Sequence, residues 1–217
     1  MPLTIDVVSD VVCPWCFIGK RRLAAALELY EKERADALAP QVTWRPFQLN
    51  PQMVEAGMPR DEYVRRKFGR SGTEVYARVS QVGKSVGIDF AFDRITRQPN
   101  TLAPHALIAL GAEHGVQDQV VEALFRAYFL ESRDLTDPAT LASVVVAAGL
   151  PRDAVDACLA SAEARQAIAA EDEQARGMGV EGVPFFIFNG RYAISGAHEP
   201  EVLVQAMLQA EAAPASA

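Results

Sequence analysis

The sequence predicts an α/β fold in which a small mixed sheet, assembled from both ends of the chain, is interrupted by an all-helical segment. Three observations carry this expectation. The first fifty residues read strand, helix, strand. The last fifty read helix, a two-stranded hairpin and a closing helix. Between them, helical periodicity runs for about a hundred residues, punctuated by Gly and Pro.

Composition bounds the function. The chain has 217 residues, 50% of them hydrophobic and 23% charged, enough for a substantial core. A net charge of −7 argues against nucleic acid or an anionic membrane as partner. The N-terminus lacks the basic and apolar regions of a secretory signal, so a cytoplasmic location is expected. The most apolar run, Leu141 to Leu150, contains Ser143 and Gly149 and is too short to span a bilayer. Of 3 cysteines, two fall in one CxxC, which is no disulfide framework.

Taken in order, residues 3–9 alternate as a strand, and Phe17 to Arg34 is an Ala- and Leu-rich helix without proline. Gln41 to Leu49 is a second strand, bent by Pro46. Helices are expected near residues 60–68, 73–86, 101–114, 117–130, 138–148 and 151–160, with starts marked by Thr101 before Pro104 and by Asp137-Pro138. Ala164 to Met178 is a further helix, and Val183 to Phe188 a buried strand. Asn189-Gly190 reads as a two-residue hairpin turn, Tyr192 to Ile194 as the returning strand, and Glu199 to Gln209 as the last helix. The expected domains are therefore a discontinuous one over 1–50 and 164–211 and a helical insertion over 51–163. A disordered tail is expected over 212–217.

Cys13-Pro14-Trp15-Cys16 lies between the first strand and the first helix. Disulfide exchange needs a thiolate, and unpaired N–H groups at a helix N-terminus favour one. Pro14 suits the first helical turn. Cys16, Leu23, Leu27 and Tyr30 share a helical stripe, which makes Cys16 the buried resolving thiol and Cys13 the exposed nucleophile. Lys20 falls near the same stripe and fits it poorly. Pro14 and Trp15, neither charged, are read as tuning the redox pair. Far along the chain, Pro184 directly precedes an apolar strand although it cannot donate to a ladder. A cis Val183–Pro184 bond would account for that placement and leave Val183 free to pair with a bound chain.

These stretches together resemble the DsbA-like family, and within it the FrnE-like, 2-hydroxychromene-2-carboxylate-isomerase-related branch. The likeness rests on Val12 to Lys20, Trp44 to Pro51, Lys67-Phe68-Gly69, Pro99-Asn100-Thr101 with His105, Ala127-Tyr128-Phe129, Gly182 to Phe186, and Ser195 to His198. It implies a thioredoxin-like fold with an inserted all-helical domain, a cis proline at Pro184 facing the CxxC, and disulfide exchange on an extended substrate. Isomerases and kappa-class glutathione transferases of this branch usually carry Ser at the position of Cys13 and bind glutathione. Both cysteines are kept here. The family typically has Gln where this chain has His198.

The expected function is thus a thiol–disulfide oxidoreductase with Cys13 and Cys16 as its catalytic pair and Val183 and Pro184 as its substrate-binding loop. Asn100, His105 and His198 are further candidates for contact with the site. The substrate is a thiol or disulfide, in a protein or a small molecule. No cofactor is expected beyond glutathione as a co-substrate, and any oligomer is expected to be a homodimer. The alternative is a glutathione-dependent isomerase or transferase. Zinc would need two further ligands, which Cys158 and the scattered histidines do not supply. Cys158 reads as a small hydrophobe, and Arg60, Arg65, Arg66, Lys67 and Arg70 as a solvated helix face.

Overall fold

The computed structural model describes residues 2–69 and 72–212. The expected disordered tail and Arg70 fall outside that range, Ala212 excepted. In chain order the elements are β1 (Thr4–Ser9), α1 (Pro14–Glu33), β2 (Gln41–Pro46), β3 (Met58–Pro59), α2 (Arg60–Phe68) and α3 (Gly72–Ser85). There follow β4 (Arg97–Gln98), α4 (Leu102–Glu113), α5 (Gln117–Phe129), α6 (Pro138–Ala147) and α7 (Arg152–Ala160). The chain closes with α8 (Ala162–Gly177), β5 (Phe185–Phe188), β6 (Tyr192–Ser195) and α9 (Pro200–Ala212).

The sheet has the order β2-β1-β5-β6. β1 and β2 are parallel, joined by α1 as a crossover, whereas β5 runs antiparallel to both β1 and β6. Both ends of the chain therefore meet at the β1–β5 pairing, in a thioredoxin-like α/β fold. β1 can lie in the middle because Ile5, Val7 and Val8 are all buried, as a central strand requires. α1 packs along α9, and β2 is met by α4, α5 and α8. At this outer strand Gln117 replaces a missing neighbour: its Oε1 accepts from the Trp44 amide at 2.9 Å and its Nε2 donates to the Trp44 carbonyl at 3.0 Å.

Several expectations need adjustment. β2 ends at Pro46 rather than Leu49, because Gln48 and Leu49 give their amides to Asp172 and Asp10. β5 begins at Phe185 rather than Val183, since Pro184 has no N–H for the ladder. Asn189 and Gly190 do take positive φ, and the Arg191 amide closes on the Phe188 carbonyl. Phe188 nevertheless pairs with Tyr192, so the turn holds one residue more than two. The middle of the chain is also not purely helical, because β3 and β4 form a two-stranded ribbon. Arg60 is no part of a solvated face. Only 6% exposed, it reaches the hydroxyls of Tyr76 and Tyr128 and the amide oxygen of Gln98.

Candidate active site

Cys13 is the N-cap of α1, with extended backbone dihedrals and Pro14 at the first helical position. Its amide donates to the Asp10 carbonyl at 2.9 Å, and its own carbonyl accepts from Cys16 at 3.0 Å, which closes the first turn around the motif. The helix leaves amide groups at this end without partners in the helix. Both cysteines are free thiols. Their side chains interact directly, and the partner sulfur of Cys13 is one of the groups acting on Cys16.

The two thiols are less different in exposure than the helical stripe suggests. Cys16 is fully buried, but Cys13 is only 4% exposed, so it does not stand at an open tip. What covers Cys13 is the segment before β5. Its Sγ lies 3.5 Å from the Val183 carbonyl oxygen and donates to it. The Val183–Pro184 bond is cis. Pro184 in turn rests on α1 at Gly19, where a Cβ would come within 3.0 Å of the proline Cγ. A glycine at that position is what lets the helix and the loop approach each other. Pro14 and Trp15 are half-buried, and Trp15 packs on the core.

Burial pushes the Cys16 thiol well above its ordinary value. The neighbouring Cys13 sulfur and the Asp10 carboxylate act in the same direction, whereas the Asp10 amide opposes them. Cys16 therefore stays protonated under conditions that ionise a free cysteine. Lys20, on the same side of the helix, is accommodated by ion pairing rather than exposure: its Nζ is 2.8 Å from both carboxylate oxygens of Asp118 on α5. That explains how a lysine fits the buried stripe, and Leu27, by contrast, is only half-buried.

The remaining candidates are dispersed. Asn100 lies just before α4, its Oδ1 accepting from the Leu102 amide at 2.8 Å while its Nδ2 donates to the Met53 carbonyl at 2.6 Å. It also lines a cleft of about 390 Å³ together with Leu102, Leu141, Leu159 and Arg165. The His198 ring turns back onto the Ser195 carbonyl of its own loop, at 2.9 Å. His105 is 2% exposed and lies against Asp10, with Nε2 at 3.4 Å from Oδ1. Asp10 is the residue that sequence reasoning passed over. The available signal was an acidic side chain inside the apolar run Val7 to Cys13, a position where burial is unavoidable. Cys158 is half-buried within α7. Among the described residues no group of three or more His, Cys, Asp or Glu side chains is arranged to hold a metal.

Comparison with known proteins bears on the same features. The family model described as a DsbA-like thioredoxin domain matches residues 4–208. A solved structure described as a probable DsbA oxidoreductase from Streptomyces coelicolor superposes with a TM-score of 0.87 at 29% identity, covering 99% of this chain and 92% of the other. YwbO of Bacillus subtilis (strain 168) is 24% identical over 215 residues, 95% of this chain and 96% of its own. A 2-hydroxychromene-2-carboxylate isomerase shares the fold at a TM-score of 0.67 and 17% identity, with 95% of each chain covered. The match spans the motif-bearing strand and helix, the helical insertion and the proline loop alike, and so the chain belongs to the DsbA-like thioredoxin domain family.

Proposed function

We propose that the protein is a thiol–disulfide oxidoreductase that cycles Cys13 and Cys16 between dithiol and disulfide. Cys13 attacks a substrate disulfide to form a mixed disulfide, and Cys16 then attacks Cys13 and releases the substrate thiol. The observation that carries this reading is the 3.5 Å contact between the Cys13 sulfur and the Val183 carbonyl. It sets the nucleophile beside a main-chain acceptor that is not part of the β5–β6 ladder. An extended substrate that pairs with this segment would bring its own sulfur to Cys13. Cys16→Ser should accumulate mixed disulfides on Cys13, visible as adducts that a reductant removes. Normal turnover of a protein disulfide substrate by that variant contradicts the mechanism.

A glutathione-dependent isomerase or transferase is the second reading, and one feature favours it. Asn50 keeps a buried side-chain N–H without a partner, beside the Lys67 Nζ, which bonds its Oδ1 at 3.4 Å. Such a pair of donors suits a carboxylate like those of glutathione. Calorimetry with reduced glutathione separates the readings: binding retained in Cys16→Ala, together with activity on an aromatic electrophile, supports the second.

A further inference from the structure

The cleft beside Asn100 lies outside the dithiol site. It encloses about 390 Å³ between α4, α6, α7 and α8, and no residue of the motif or of the proline loop lines it. Its floor is made by Leu135 and Leu141, both buried, and its walls by the half-buried Leu102 and Leu159. The exposed Gln166 marks its solvent rim. A cavity of this size, apolar inside and polar at the edge, suits a small organic molecule. One cation reaches the apolar wall. Arg165 is half-buried in the lining, and its guanidinium donates to the Leu159 carbonyl at 2.7 Å. It makes no ion pair among the described residues, so most of its N–H groups are left for a ligand. Arg21 and Arg22 of α1, Arg152 of α7 and Arg176 of α8 are by contrast each paired with a carboxylate. Glu163, on the same helix as Arg165, turns instead to the Ser161 hydroxyl at 3.0 Å. The first turn of α4, which supplies Leu102 and Ala103 to the wall, holds no acidic residue. Glu55, the acid in the lining, is exposed to water at the rim.

We propose that this cleft binds a small amphipathic monocarboxylate, with its apolar body against Leu102, Leu141 and Leu159 and its carboxylate on Arg165. Covering the apolar floor and walls supplies most of the affinity. The planar guanidinium, with donors to spare, receives both oxygens of a carboxylate and fixes which end of the ligand enters first. The protein as a whole carries a net charge of −7, which disfavours anions in general. A preference for an anion must therefore come from the cleft itself, and Arg165 is the group that supplies it. The proposal does not depend on the oxidoreductase reading, because the cysteines take no part in it.

Decanoate is a suitable probe, and decyltrimethylammonium, with the same chain length and the opposite charge, is its control. Calorimetry on the full chain should show saturable binding of decanoate, with a dissociation constant on the order of 0.1 mM. The cation should bind about tenfold more weakly or not at all, although the net charge favours it. Arg165→Met keeps an apolar stem and should weaken decanoate by about tenfold or more. Ala103→Phe, which fills the cleft, should abolish binding. Cys13→Ser and Cys16→Ser should bind decanoate as the wild type does. In the wild-type protein, decanoate should shift the amide resonances of Leu102, Ala103 and Arg165 and leave those of Cys13 and Cys16 in place. That readout needs no substitution, so it decides the matter even where a variant does not fold. Three results overturn the proposal: no saturable binding of decanoate, equal or tighter binding of the cation, or shifts centred on the cysteines instead of the cleft.

Discussion

At the two sulfur atoms the difference is one of environment rather than access. Cys13 and Cys16 are both covered, yet only Cys16 is enclosed on every side and deprived of solvent, while Cys13 sits at a helix N-terminus against the Val183 carbonyl. Limited treatment of the reduced protein with an alkylating reagent at neutral pH should therefore modify Cys13 and spare Cys16. Equal labelling of both in the folded protein, read by peptide mass spectrometry, contradicts the assignment. The raised value of Cys16 also has a stability consequence. In the unfolded chain the thiol ionises near 9.0, whereas in the folded one it holds its proton to higher pH. The contribution is complete below 9.0 and is lost as pH rises from there through the folded value. Denaturant titrations of the reduced protein should show this decline, and Cys16→Ala should lack it.

Helix α1 is the element on which the site depends, and its neighbours fix it from three sides. Lys20 and Arg21 reach Asp118 and Glu122 of α5, Arg22 reaches the Ala197 carbonyl and Glu199 before α9, and Gly19 receives Pro184. Gly19→Ala tests the last of these. Alanine favours the helix by about 1 kcal/mol, but its methyl would meet Pro184 Cγ at 3.0 Å and Phe186 Cζ at 3.3 Å. Overpacking of this kind costs about 1–3 kcal/mol. The expected result is a net loss of about 2 kcal/mol or less, with a several-fold fall in exchange rate as the Val183 carbonyl moves off the Cys13 sulfur. A variant that is more stable and fully active would show that the contact is slack.

The molecule as a whole is held together across the sheet and the helical insertion by buried polar links as well as by a continuous apolar core. Glu122 illustrates the balance. Burial alone would raise its carboxyl, but the Arg21 guanidinium, bonded at 2.5 Å and 2.7 Å, and the charge of Lys20 hold it below the usual 4.5. Its contribution to stability is present above 4.5 and is lost as pH falls through the lowered folded value. Acid should therefore loosen the docking of α5 on α1. Glu122→Gln should lower stability at neutral pH by about 1 kcal/mol and flatten the decline below 4.5. An unaltered acid profile in that variant would remove Glu122 from the account.

The sequence by itself determined the elements and the chemistry that local pattern encodes. The helix ranges, the βαβ opening, the CxxC at a helix start and the proline before an apolar strand were all legible, because each depends on spacing within one or two turns or on one residue's backbone chemistry. The tertiary structure decided what those pieces face. Nothing in the local pattern says that Val183 reaches Cys13, that a lysine in the α1 stripe is neutralised by Asp118, or that Arg60 is buried among tyrosines. The meeting of Asp10 with His105 belongs to the same class. These partners are far apart in the chain and come together only when β1 pairs with β5 and the insertion closes over β2, and burial and charge, the quantities that set a thiol's reactivity, are properties of that closure.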